Sequence, residues 1–230
     1  MRRLILLGTA ALLTACPTEP QDGPGGDETI TTVSGAVISS WEDGENVLAG
    51  ATVYELGNPS NSDVTDENGL WVLEVTGDRF VGATVQAEGF LEYTHIVDLD
   101  FASSTTPELR LQPFSEPILD ELYEGDYGYT RQTGTATLVV MIEDGDGADY
   151  TGAAVSVTAE YEESLVEAPN MDLVPGSVSG QPWAEVLFVN VEAGATQVNV
   201  DGVGGDACLE GLDVMLDADS YVYVDTGCTD

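Results

Sequence analysis

From residue 31 onward apolar side chains recur at every second position, and turn residues interrupt them every few positions. Val33, Gly35 and Val37 alternate with polar neighbours, and Trp71, Leu73 and Val75 share one face of a segment whose other face carries Glu74. A repeat of two belongs to a half-buried strand, whose successive side chains point to opposite sides of a sheet. Asp66-Glu67-Asn68-Gly69 separates two such runs, and Gly69 takes a positive φ there without steric cost. The pattern predicts strands at 33–37, 51–56, 62–65, 70–75, 80–87, 92–99 and 108–111. Short strands with turns at this spacing predict a β-sandwich over residues 31–113.

Residues 114–131 read as an acidic, aromatic connector in which Tyr127 and Tyr129 share a face if the chain is extended. The second half, 132–230, repeats the first in part. A long strand is expected at 134–143. Gly152-Ala153-Ala154-Val155 echoes Gly50-Ala51-Thr52-Val53, and the run from Trp183 to Val189 echoes 69–75. The second echo lies further off than the first, which places extra residues at 160–182. That stretch holds Pro169, Pro175, Gly176, Gly180 and Pro182, so a long surface loop is expected. The expected fold class is therefore all-β, with two tandem β-sandwich domains of transthyretin-like or Ig-like type.

The N-terminus is of another kind. Arg2 and Arg3 precede a short apolar run, 4–13, which is too short to span a membrane stably and has the layout of a secretory signal. Leu13-Thr14-Ala15-Cys16 resembles the lipobox of bacterial lipoproteins. That resemblance implies a signal peptide over 1–15, cleavage before Cys16 and acylation of Cys16, with the membrane as partner through the lipid. An ordinary secretory signal with an accidental Cys is the alternative. Residues 16–30 are rich in Pro, Gly and acids, cannot bury a core, and read as a flexible tether. Pro17, where an Asp would favour inner-membrane retention in some bacteria, leans the reading to the outer membrane.

The region 31–113 resembles the carboxypeptidase regulatory-like domain, a transthyretin-like sandwich of secreted proteins. The resemblance rests on Val33-Ser34-Gly35-Ala36-Val37, Leu48-Ala49-Gly50-Ala51-Thr52-Val53, the segment Thr65 to Leu73, and Ala87-Glu88-Gly89-Phe90. It implies an accessory or scaffold module, although a fold does not fix a function.

With Cys16 lipidated, Cys208 and Cys228 remain as an even pair in an oxidising compartment, where a disulfide is expected over two free thiols. A hairpin turning at Asp217-Ala218-Asp219 sets Cys208 opposite Cys228, Leu212 opposite Val224 and Val214 opposite Val222. All six are even-numbered and share a face. Gly211 is a candidate bulge.

Composition removes several chemistries. Lys+Arg number 5 against 42 Asp+Glu, for a formal charge of −37, and no residue is Lys. Nucleic-acid binding needs clustered basic residues, and P-loop or Schiff-base chemistry needs lysine. The single histidine, in His95-Ile96-Val97-Asp98, lacks the Glu and the second His of a carboxypeptidase zinc site, and no nucleophile-elbow motif occurs. His95 reads as a packed or edge residue beside Tyr93, Val97 and Leu99. No catalytic residue is expected, and the chain reads as a non-enzyme. The acidic turn 143–149 supplies Asp144, Asp146 and Asp149 as candidate calcium ligands, without the EF-hand spacing. No other cofactor is implied. The expected role is that of a lipid-anchored structural or interaction module of the bacterial cell envelope, with an envelope protein or glycan as partner. A carbohydrate- or calcium-binding module, and an accessory of an exported enzyme or secretion system, are the rival readings.

Overall fold

A computed structural model of the chain describes residues 30–40, 42–76, 79–100, 107–144, 147–169, 172–180, 184–204 and 207–228. The first half supplies β1 (Ile30–Val37), β2 (Thr52–Glu55), β3 (Asn58–Val64), β4 (Leu70–Thr76), β5 (Phe80–Gln86), β6 (Glu92–Asp98) and β7 (Glu108–Leu111). The second supplies β8 (Thr135–Asp144), β9 (Ala154–Val157), β10 (Glu163–Glu167), β11 (Leu173–Pro175), β12 (Glu185–Glu192), β13 (Gly194–Asp201), β14 (Ala207–Leu216) and β15 (Ser220–Cys228). Period two is carried through into burial: β4 alternates exposed and buried residues along its whole length, with Trp71, Leu73 and Val75 inside. The expected turn is present. Asp66 accepts the N–H groups of Asn68 and Leu70 on its side chain, at 2.8 and 2.9 Å, and Gly69 has φ +74°.

The strands form three sheets, ordered β4-β1-β7, β14-β13-β9, and β11-β10-β12-β8-β15-β6-β5-β2-β3. The echo between the halves reappears in the pairing. β1 pairs antiparallel with β4 and parallel with β7; β8 pairs antiparallel with β12 and parallel with β15. The fold is thus two β-sandwiches of related topology. They share the nine-stranded sheet, because β15 also pairs in parallel with β6.

The long sheet is the middle layer. β4-β1-β7 covers one face over the first-half strands, and Val33, Val37, Leu73, Leu109 and Leu111 pack there against Val53, Val85, Tyr93 and Val97. β14-β13-β9 covers the opposite face over the second-half strands, where Val198, Val200, Val214 and Leu216 pack against Leu138, Val140, Phe188, Val222 and Val224. Gly35 is required where β1 meets β7, since an added Cβ would collide with the Leu109 carbonyl oxygen.

Three expectations are corrected. Residues 160–182 are not one long loop: β10 and β11 lie there, and they pair because Leu165 and Val166 are apolar enough to be buried. The connector is not extended. It forms helix α1 (Glu116–Leu122) running into a π-helical turn, Tyr123–Tyr127. Pro117 at the start and Glu116 in the first turn favour a helix N-terminus, and Leu119, Leu122 and Tyr123 fall three and four apart on the buried side. Tyr127 and Tyr129 both pack against the first core. Finally, β14 and β15 do not pair as a hairpin. The turn between them carries the chain from one sheet to another, so the even-numbered faces of the two strands meet across the core rather than side by side. Gly211 does sit at an irregularity, with φ +65° beside a register shift against β13.

Candidate functional site

Neither small sheet covers the second-half part of the middle layer on the odd-numbered face. Parallel register aligns Tyr221 with Tyr93 and Tyr223 with His95, and the neighbouring pairings align Tyr223 with Val139 and Leu187 with Val139. The odd residues of β6, β15, β8, β12 and β10 therefore share one surface. They floor a cavity of about 830 Å³ whose walls include Phe114, Leu122 and Tyr127 from the chain around α1, and Arg110 and Gln112 at the end of β7.

Aromatic rings dominate the floor. Tyr93 stacks on Tyr221 at 5.7 Å between centroids, Phe114 lies 4.9 Å from Tyr221, and Tyr223 meets His95 edge-on at 5.0 Å. Set among the rings are Glu167, Glu185 and Asp225. The Tyr223 hydroxyl donates to Glu185 Oε1 at 3.3 Å. Burial raises the Glu185 carboxyl above its ordinary value. Burial, then the charges of Glu143 and Asp98, push Asp225 up to about 7. Burial pulls the His95 imidazole down to about 4, against an opposing pull from the backbone of Arg110. Part of the His95 ring faces the cavity, both its nitrogens are shielded from solvent, and the Arg110 backbone is the polar group beside them. Among the described residues no hydroxyl or carboxylate is hydrogen-bonded to it. Arg110, the one arginine lining the cavity, is ion-paired with Glu45 at 2.6 Å.

The sites expected from sequence lie elsewhere. Cys208 and Cys228 form a disulfide with Cα atoms 4.8 Å apart. Asp144 accepts the Ala148 N–H at 2.9 Å on its side chain and so closes its own turn, while Asp149 is exposed beside it. Asp146 and Cys16 lie outside the described residues. Among the described residues no group of three or more His, Cys, Asp or Glu is placed to hold a metal ion. Sequence reasoning put His95 on a packed face but missed Glu185 and Asp225. The available signal was β15 itself, where Tyr221, Tyr223 and Asp225 alternate with Val222 and Val224. Such a strand is buried on both faces, with one face aromatic and acidic.

The chain matches no protein-family model and no curated relative. Among solved structures it is similar to the TIE protein of Bacillus anthracis, at 12% identity and a TM-score of 0.28 over 86% of this chain and 34% of that one. It thus spans about a third of that protein's chain. It is also similar to the shaft pilin SpaA of Lactobacillus rhamnosus GG, at 10% identity and a TM-score of 0.26 over 86% of this chain and 98% of that one. A minor pilin of Streptococcus agalactiae gives 8% identity and a TM-score of 0.30 over 87% and 96%. Likeness at these scores carries no inference about function. What the coordinates define is an all-β protein of two sandwiches sharing one sheet, with an aromatic, acidic cavity on that sheet.

Proposed function

We propose that this chain is an exported, lipid-anchored, non-enzymatic interaction module of the bacterial cell envelope. The observation that carries the reading is the Cys208–Cys228 disulfide, since structural disulfides belong to oxidising compartments. It joins the leader-like run 1–15 and the lipobox-like Leu13-Thr14-Ala15-Cys16. In this reading 16–30 tethers the folded body, 31–113 and 132–230 are its two sandwich units, and the anchor sits in the outer rather than the inner membrane. Among the described residues no helix is long and apolar enough to cross a membrane. Nucleic acid is a poor partner, because Arg79, Arg110 and Arg131 are each held by carboxylates.

The test is metabolic labelling with a radioactive fatty acid. The wild-type chain should carry label and partition with membranes, while Cys16→Ser should lose the label and stay in the aqueous phase. A Cys16→Ser chain that remains on membranes after a high-salt wash would overturn the anchor.

A further inference from the structure

We propose that the cavity on the shared sheet binds an organic ammonium ion, a protonated amine with N–H donors on an apolar body. The inference does not depend on the lipid anchor.

Its size comes first. About 830 Å³ is within the range of pockets that enclose small organic ligands. Its chemistry comes next. Stacked Tyr93 and Tyr221, with Phe114 and Tyr223, line the space. Ring faces attract cations and also pack apolar bodies.

The electrostatics decide the sign of the ligand. Glu185 and Asp225 both face the cavity, and no basic side chain pairs with either among the described residues. Arg110 is engaged by Glu45, and His95 is uncharged at neutral pH because burial lowers its pKa to about 4. A buried carboxylate without a cationic partner is costly, and a bound cation lowers that cost.

His95 adds no charge that opposes a cation. Its ring is half-buried, with part of it in the cavity and both nitrogens shielded from solvent. A hard metal ion is a poor alternative. It needs several oxygens converging at short range, and no such group of acids is present among the described residues.

The experiment is calorimetric titration of the full-length chain with phenethylammonium, beside 2-phenylethanol and phenylacetate as neutral and anionic counterparts, at physiological salt. The ammonium should bind, and both counterparts should bind at least about tenfold more weakly. Glu185→Gln and Asp225→Asn keep side-chain shape and should each weaken ammonium binding about tenfold. Glu88→Gln, at an exposed acid that is not part of the cavity lining, should leave binding unchanged and so separates the site from diffuse attraction by an acidic surface. Absence of ammonium binding overturns the proposal. So does alcohol binding as tight as ammonium binding, which would mark a neutral ligand such as a sugar, and so does an equal loss in Glu88→Gln. Should a cavity variant fail to fold, the comparison of the three ligands on the wild-type chain decides alone.

Discussion

Asp225 and His95 line one cavity and titrate in opposite directions, so their effects on stability can be separated. The Asp225 carboxyl is raised from 3.8 to about 7. Between those values the folded chain holds a proton that the unfolded chain has lost. Its contribution is complete below about pH 4 and disappears as pH rises to 7, a swing of up to about 4 kcal/mol. His95 is lowered from 6.5 to about 4. Its neutral folded form contributes stability that is complete above 6.5 and is lost as pH falls through 4. From pH 4 to 6.5 the two slopes oppose each other. Asp225→Asn removes the first and leaves the second. Urea denaturation should therefore find the variant gaining on the wild type as pH rises from 4 to 7, with most of the difference in place by pH 7. Titrating groups that do not interact with Asp225 are common to both chains and drop out of the difference. A pH-independent difference would show that Asp225 titrates as an ordinary surface acid.

At the scale of elements, Cys228→Ser tests a contact between strands of two sheets. The disulfide fastens the start of β14 to the end of β15, which pair with different neighbours and face each other only through side chains. Cross-linking residues 20 apart in sequence stabilises by about 3 kcal/mol through the unfolded chain. Cys228→Ser should lose about that much in chemical denaturation, and hydrogen exchange should rise first in β14, which is at the edge of its sheet. A loss near zero would show that Val214, Leu216, Val222 and Val224 hold the two strands without the bond. The same pair shows where sequence stops being informative. Alternation fixed which side chains of β14 and β15 are buried, and the cysteines fixed that the strands meet. Neither says whether two adjacent strands pair by backbone or by packing, because both arrangements bury the same even-numbered face. The seven strands of the first half were legible because Asp66–Gly69 and similar turns punctuate them. β10 and β11 were not, since prolines and glycines at 169–182 outweighed a short apolar run. Helix α1 was hidden for a related reason: seven residues are too few to display a helical repeat against the period-two background. The cavity escaped altogether, because it is assembled from β6, β8, β12 and β15, and nothing in the chain advertises which strands become neighbours.

At the scale of the whole molecule, the shared sheet couples the two sandwiches. β15, the last strand, is hydrogen-bonded to β8 of its own half on one side and to β6 of the other half on the other. A polar clamp lies beside it. Arg79 holds Asp98 with Nη2 to Oδ2 at 2.6 Å, Thr226 of β15 donates to the same Asp98 oxygen at 3.1 Å, and Arg79 also donates to the Cys208 carbonyl at 3.4 Å. Asp98 is fully enclosed, so Arg79 and Thr226 stand where water would otherwise meet its carboxylate. On the far side of β8, the Tyr123 hydroxyl meets Thr137 at 2.7 Å, and Arg131 bridges Asp120 of α1 to Asp219 of the β14–β15 turn. Neither sandwich can open without exposing apolar surface or an unpartnered charge on the other. Calorimetry of the full chain should show one cooperative unfolding transition. Asp98→Ala leaves Arg79 only the exposed Asp100 and the Cys208 carbonyl, strips the buried Thr226 hydroxyl of its acceptor, and should cost about 3 kcal/mol, which for a chain of this size moves the midpoint down by about 10 °C. The shift should apply to the entire transition, because the clamp joins elements of both halves. Two resolved transitions of which Asp98→Ala moves only one would mean that the sandwiches unfold independently and that the β6–β15 pairing contributes little to the stability of either.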